Sequence, residues 1–458
     1  MRLTWLAAVL VASQVPPVGQ SPRPRPSAPG AISGRITDAD GKPVAGVEVR
    51  TMRRMTLGGV SQLVSIGGMD FGVSDAEGKY LIANREPGEY LVVAFAHGRA
   101  QTLKPSLDTV RLGPPPSAGP DGVMLGYVTT FFPGTPIDGE ATPVTVTTTE
   151  RTGTDVRLSR LPVFELSGSI SGSSDAGPTR LVTIAPASAG DQMGGLNVRR
   201  VRLSDGRFHA PDLPAGTYLI SFRGPSGWAE STVVIAGTAP PHVVLEMQPD
   251  RVVSGRVEFT GSTKPPALQG PSPAKPEFWV ELRPAVVSAG ASFTSTPIGS
   301  SLTFSTRAGG SAPLALRVRV PAPWVQVAGF IDGVDTLDVP FEGTGSKDAL
   351  IVIADRRTGL QVTVRDSAER PVTDAAVILF SEDPRYWTRS SRRAAVLVAT
   401  GGSVTMPDVP PGRYFVTAAR GLAPDQTVTP TFIESVRARA LPLEIVAGEN
   451  RSVTLRIN

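Results

Sequence analysis

Short stretches of apolar and polar alternation recur along the chain and set its organisation. "ISGRI" at 32 to 36, "LSGSI" at 166 to 170 and "VSGRV" at 253 to 257 match one another. "LQVTV" at 360 to 364 keeps the alternation, with its glycine moved forward to Gly359. A period of two over five positions indicates a strand with one buried face. "TDADGKPVAGVEV" at 37 to 49 follows the first of these and "RDSAERPVTDAAV" at 365 to 377 the fourth, with Asp38 and Asp366 each five residues before a proline. An Asp carboxylate accepts from backbone two residues on, Gly41 tolerates positive φ and proline fixes its own, so both segments are predicted turns between strands.

A second pattern joins a turn to an apolar run: "EPGEYLVVAF" at 86 to 95, "LPAGTYLISF" at 213 to 222 and "VPPGRYFVTA" at 409 to 418. Ten residues separate Gly78 from Gly88, Gly206 from Gly216 and Gly402 from Gly412, and Tyr90, Tyr218 and Tyr414 stand two further on. The fixed register predicts strand, turn and strand. Pro87-Gly88 and Pro411-Gly412 suit a type II turn. A tyrosine at such a corner packs its ring on the core and returns its hydroxyl to nearby backbone, so these three are expected to be structural. In the third copy "PAPWVQVAGF" at 321 to 330 places Trp324 where the others have tyrosine and lacks the glycine turn. Each copy ends in a strand pair around a glycine, as in "LEIVAGENRSVTLRI" at 443 to 457.

Four closures predict four domains, which suits 458 residues at about 100 to 200 per domain. The expected fold is all-β, a tandem array of antiparallel Ig-like or transthyretin-like sandwiches: residues 31–160 with a long Pro/Gly-rich loop, 161–249, a divergent 250–355, and 356–458. "GPPPSAGP" at 113 to 120 and "KPPALQGPSPAKP" at 264 to 276 read as loops inside domains one and three, and no segment shows a sustained helical period. Gly 48 and Pro 44 make roughly a fifth of the chain, against about 12% in average usage, which favours turns over helices. Residues 1–20 read as a signal peptide with one early charge at Arg2 and a short apolar stretch, and 21–30 as a Pro-rich linker. The mature chain is then expected outside the cytoplasm, periplasmic or secreted, with no transmembrane segment.

Composition narrows the chemistry. Cysteine is absent, which excludes disulfides, thiolate metal sites and thiol catalysis. The net charge of +4 comes from dispersed arginines interleaved with acids, so no nucleic-acid partner is expected. His97, His209 and His242 are widely separated along the chain and read as falling in different repeats, so neither a zinc site nor a catalytic histidine is expected. "DADG" at 38 to 41 lacks an oxygen ligand at Lys42 and a glutamate at Val49, against a calcium loop, and Gly-rich "LGGVSQLVSIGG" at 57 to 68 lacks the lysine of a phosphate cradle. No cofactor and no enzymatic activity are expected.

The first copy, through Gly34, Asp38, Gly41, Pro43, Gly46, Asp75, Gly78, Tyr80, Pro87, Gly88 and Tyr90, resembles the carboxypeptidase regulatory-like domain, a transthyretin-like or carbohydrate-binding-like sandwich. The match is partial in copies two and four and poor in three. The array, with "FFPG" at 131 to 134 and "FSEDPRYW" at 380 to 387, is similar to secreted bacterial multi-domain proteins of this type. The resemblance implies modules that accompany enzymes, transporters or adhesins and that lack peptidase residues. Binding chemistry is then expected from aromatic rings in loops. Tyr127, Phe131, Phe132, Trp228, Tyr386 and Trp387 are candidates for stacking on sugars, or else cap the cores. The expected function is a non-catalytic binding protein with carbohydrate as ligand; the alternative is a structural or protein-interaction subunit of a cell-envelope assembly with no sugar ligand. Polysaccharide or envelope proteins are the expected partners.

Overall fold

The computed structural model describes residues 29–457 except 58–59, 66–70, 100–108, 173–180, 188–196, 226, 266–277, 286–293, 344, 388–390 and 423–428. The leader and nearly all of the linker lie outside the described residues, as does most of 264–276.

Four long strands, Gly30–Thr37, Arg160–Ser171, Arg251–Thr260 and Gly359–Arg365, each open one β-sandwich. On one side the opening strand pairs antiparallel with Lys79–Arg85, Arg207–Pro214, Thr303–Ala308 and Ser403–Pro407 in turn. On the other side it pairs parallel with the strands that close the domain: Glu150–Arg151 and Val156–Arg157, Val243–Glu246, Ser346–Ala354 and Asn450–Arg456. The chain is therefore an all-β tandem array, mostly antiparallel, with one parallel ladder tying the start of each domain to its end.

That ladder explains the glycine in the first three opening strands. The closing backbone approaches so near that a Cβ on Gly34, Gly168 or Gly255 would run into the carbonyl of Thr154, Val243 or Ala349. The aspartate turns are also local chemistry. Asp38 Oδ1 accepts from the backbone N–H of Asp40 at 2.9 Å and of Lys42 at 2.8 Å, and Asp366 does the same for Ala368 and Arg370. Their carboxylates are spent on holding the turn.

The second sheet of each sandwich contains the strand after the corner, Gly88–Phe95, Gly216–Gly224, Leu314–Arg319 or Gly412–Arg420, each paired with a strand laid down soon after the opening one. The register Pro186↔Tyr218, Ser381↔Tyr414 and Pro284↔Leu314 shows that Leu314 stands in the tyrosine position of the third domain. The expected match to Trp324 is thus corrected. Val325–Ile331 pairs with Ser346–Ala354 in the opening sheet, and Trp324 packs edge-on against Phe259 at 5.0 Å. "GGSAPL" at 309 to 314 carries no aromatic ring, so the next ring along the chain is Trp324.

Two further departures have physical causes. The Pro-rich stretch 113–120 assigned to a loop of domain one contains strand Ser117–Ala118, which pairs with Met124–Tyr127 just beyond it; the latter extends the opening sheet of domain two through Leu125↔Pro162 and Tyr127↔Arg160. A helix, Pro430–Arg437, also forms, capped by Thr429 Oγ1 accepting from Phe432 N at 3.1 Å. At two turns it was too short to show a period. Its buried Ile433 and Val436 cover the outer face of Ala375–Ser381, so that strand is buried on both sides. Gly88–Phe95 is covered likewise by a second cluster that includes Met52, Leu63 and Phe131. Each large apolar side chain so enclosed contributes about 1.5 to 3 kcal/mol.

Candidate functional site

At the corners Tyr90 Oη donates to the Glu86 carbonyl at 2.7 Å, Tyr218 Oη to Pro214 at 2.8 Å and Tyr414 Oη to Pro410 at 2.6 Å. Each hydroxyl reaches back four residues. Gly88, Gly216 and Gly412 have φ of 148°, 159° and 151°, in place of the value near +80° that a type II turn would need. This more open turn lets the ring lie back along the chain. In domain one Arg53 rests on the corner, 4.2 Å from the Tyr90 ring centroid, and Arg393 Nη1 donates to the Pro411 carbonyl at 3.2 Å in domain four.

The structure places most of the candidate rings inside the protein. Tyr127, Phe131, Tyr386 and Trp387 are all below 10% exposed, while Phe132 is half-buried against the first core. Trp387 Nε1 donates to Ser381 O at 2.8 Å, and its ring meets Phe380 edge-on under the helix. Tyr386 Oη donates to Asp335 of domain three at 2.9 Å. These four rings are buried, as the core-capping alternative has them. Trp387 lies over Ala375–Ser381 because that strand is apolar on both faces, whereas Tyr127 and Phe131 are themselves strand residues. Trp228 differs: it is half-buried, donates to Pro249 O at 3.2 Å, and lines an open groove of about 420 Å³ with Glu230, Thr232, Glu246, Gln248 and Ser311.

Charged groups converge at the three joints between domains. At the first, Asp212 of domain two accepts from Arg111 Nε at 2.7 Å, and His97 Nε2 stands 3.5 Å from the same carboxylate. Burial pulls the His97 pKa down to about 4 and outweighs the attraction of Asp212, with Arg199 adding repulsion. At the second, Arg223 pairs with Asp250 at 3.0 Å, and Glu230 accepts from Ser311 N at 3.0 Å and Ser311 Oγ at 2.9 Å. At the third, Asp338 is fully enclosed. Its Oδ1 accepts from Arg317 within domain three and from Arg392 Nε of domain four at 3.0 Å, with Arg393 Nε 3.9 Å from Oδ2. Burial pushes the Asp338 pKa up, but the guanidiniums of Arg392 and Arg317 prevail and hold it below the ordinary carboxylate value.

Sequence reading also missed a histidine pair. His209 and His242 both belong to domain two, not to different repeats. Ser167↔His209 are cross-strand neighbours, and the parallel register Gly168↔Val243 sets His242 on the other side of Ser167. Only strand pairing reveals this. Among the described residues no group of three or more His, Asp or Glu side chains could hold a metal, and no helix is long and apolar enough to cross a membrane.

Fold and joints define a class, a serial array of β-sandwiches linked by polar contacts. No family model matches the chain, and no curated protein matches it. Solved structures similar to it include the Bacillus anthracis TIE protein, at 12% identity over 90% of this chain and 69% of that one with a TM-score of 0.17. A streptococcal ancillary pilin is 11% identical over 64% of this chain and 98% of its own, with a TM-score of 0.21. The major pilin subunit BcpA of Bacillus cereus is 12% identical over 94% and 98%, with a TM-score of 0.15. At such scores no function is carried across.

Proposed function

We propose that the chain is an extracytoplasmic, non-catalytic structural or protein-interaction subunit whose four sandwiches are held in series by their joints. One observation carries this reading: at each junction, side chains of successive domains are bonded to one another, as in Arg111 with Asp212, Ser311 with Glu230 and Arg392 with Asp338. Freely jointed binding modules need no such contacts, because exposed linkers suffice. The leader-like N-terminus supports the location. Small-angle scattering of the exported chain should fit one fixed arrangement of domains, and limited proteolysis should spare residues near 160, 250 and 355. An ensemble of inter-domain angles, or rapid cleavage at those joints, would overturn the reading.

Carbohydrate binding is the second reading, and one observation favours it. The Trp228 groove sets an indole among carboxylate, amide and hydroxyl groups, a combination suited to a sugar's C–H face and hydroxyls. A glycan array with the intact protein and its Trp228→Ala variant decides. Retention of neutral sugars that is lost in the variant supports this reading, and an array with no signal removes it.

A further inference from the structure

We infer that the groove beside Trp228 binds a sugar polymer that carries free, protonated amines. The inference rests on the carbohydrate reading of this groove and names the class of sugar. The strand Gly227–Ile235 forms an edge of domain two's second sheet, and the antiparallel bridge Trp228↔Gln248 ties its start to the chain just after the closing strand Val243–Glu246. Carried on from that bridge, the same register sets Glu230 opposite Glu246 and Thr232 opposite Val244. All of these residues line the groove of about 420 Å³.

Like charges on facing positions destabilise a strand pair. The lining holds no Lys, Arg or His among the described residues to separate the two carboxylates. Glu230 is partly answered, since its Oε2 accepts from Ser311, and Arg251, buried and outside the lining, attracts it. Glu246 is exposed and has neither a hydrogen bond nor an ion pair among the described residues. The uncompensated charge of the groove is therefore its own.

The indole is left open in the same way. Arg319 stands 5.6 Å from the Trp279 ring, Arg437 5.9 Å from Trp387 and Arg53 4.2 Å from Tyr90. Among the described residues no such cation lies over Trp228, and its cross-strand neighbour Arg223 is paired with Asp250. An ammonium over an indole face is attracted by the ring quadrupole. Both features sit on an extension of the strand. Tyr90↔Val144, Tyr218↔Val233 and Tyr414↔Leu443 are equivalent rungs, yet Val144–Val146 and Leu441–Ile445 have three and five residues against nine in Gly227–Ile235. Neither shorter strand reaches the positions of Trp228 and Glu230.

An amino sugar answers each group: its C–H face the indole, its hydroxyls Thr232 and Gln248, and its ammonium the carboxylates. A lysine-rich peptide offers the charge without the sugar ring. A neutral or N-acetylated polymer offers the ring without the charge.

The test is isothermal titration calorimetry of the full chain in mildly acid buffer with oligomers of glucosamine, N-acetylglucosamine and glucose, and with polylysine. The glucosamine oligomer should bind at least about tenfold more tightly than the other two sugars. Added salt should narrow that preference, because the exposed charge of Glu246 is screened. Trp228→Ala should weaken glucosamine binding. Should that variant unfold, Glu246→Gln, at an exposed and unbonded position, carries the test alone: it should bring the preference for glucosamine close to parity. Glu444→Gln, which removes a carboxylate from domain four, should keep it. Equal binding of all three oligomers, lost in Trp228→Ala, overturns the inference and leaves the carbohydrate reading standing; no binding of any oligomer removes both. The inference is also overturned if polylysine is held more tightly than the glucosamine oligomer, if Glu246→Gln retains the full preference, or if Glu444→Gln loses it.

Discussion

Replacing Asp338 by asparagine tests the joint between domains three and four at its centre. The side chain is 0% exposed, and one oxygen serves Arg317 and Arg392 at once. Taking one partner out of a buried ion pair costs about 3 to 5 kcal/mol, because the remaining charge is left in a poor solvent. Asparagine keeps the shape and one acceptor, so the lower end, about 3 kcal/mol, is expected. Asp338 has φ of 69°, a region that asparagine tolerates and alanine resists. Asp338→Ala should therefore cost about 1 to 2 kcal/mol more than Asp338→Asn.

Scanning calorimetry of the whole chain is the assay, since an array of domains does not unfold in a single two-state step. For a domain of about 100 residues each kcal/mol moves Tm by about 4 to 8 °C, so the transitions of domains three and four should fall by about 12 °C or more. Those of domains one and two should stay. The effect also has a pH signature. Because the folded pKa lies below the unfolded value of about 3.9, the stabilisation is complete above that value and is lost as pH falls through the folded pKa. Wild type and Asp338→Asn should converge in acid. A shift under about 2 °C at neutral pH, against the 12 °C expected, would show that the carboxylate does not hold the joint.

Other outcomes follow from single groups. Tyr218→Phe removes the bond to the Pro214 carbonyl and should lower domain two's stability by about 0.5 to 1.5 kcal/mol in urea unfolding; an unchanged midpoint would place that hydroxyl in water. Gly255→Ala drives a methyl into the Ala349 carbonyl and should split the parallel ladder of domain three, seen as fast amide exchange along Ser346–Ala354; retained protection would refute the close approach. His97 has a folded pKa of about 4 against about 6.5 unfolded, so the unfolded chain binds more protons between these values. Stability at the first joint should be complete above about pH 6.5 and fall by up to one proton's slope toward pH 4. His97→Gln should flatten that limb, and an unchanged pH profile would mean that the imidazole is solvated.

The parts of the fold that could be read from sequence are those whose cause lies within a few residues. Asp38 and Asp366 bind backbone two and four residues on, and each corner tyrosine reaches four residues back, so turn residues alone announce them. What escaped is governed by distant partners. Tyr386 and Trp387 look exposed until Asp335 and the helix Pro430–Arg437 are brought against them, and Met124–Tyr127 looks like loop until Arg160–Ser171 offers an edge. The candidate sites share that character. Asp338 meets Arg392 across 54 residues, and Ser167 joins His209 to His242 only because the closing strand returns parallel to the opening one. A repeated scaffold therefore hides its sites in the positions where the copies differ. Those positions become visible once strand register, and not motif alignment, decides which residues correspond: that criterion moved the third corner from Trp324 to Leu314 and set His209 and His242 on either side of Ser167.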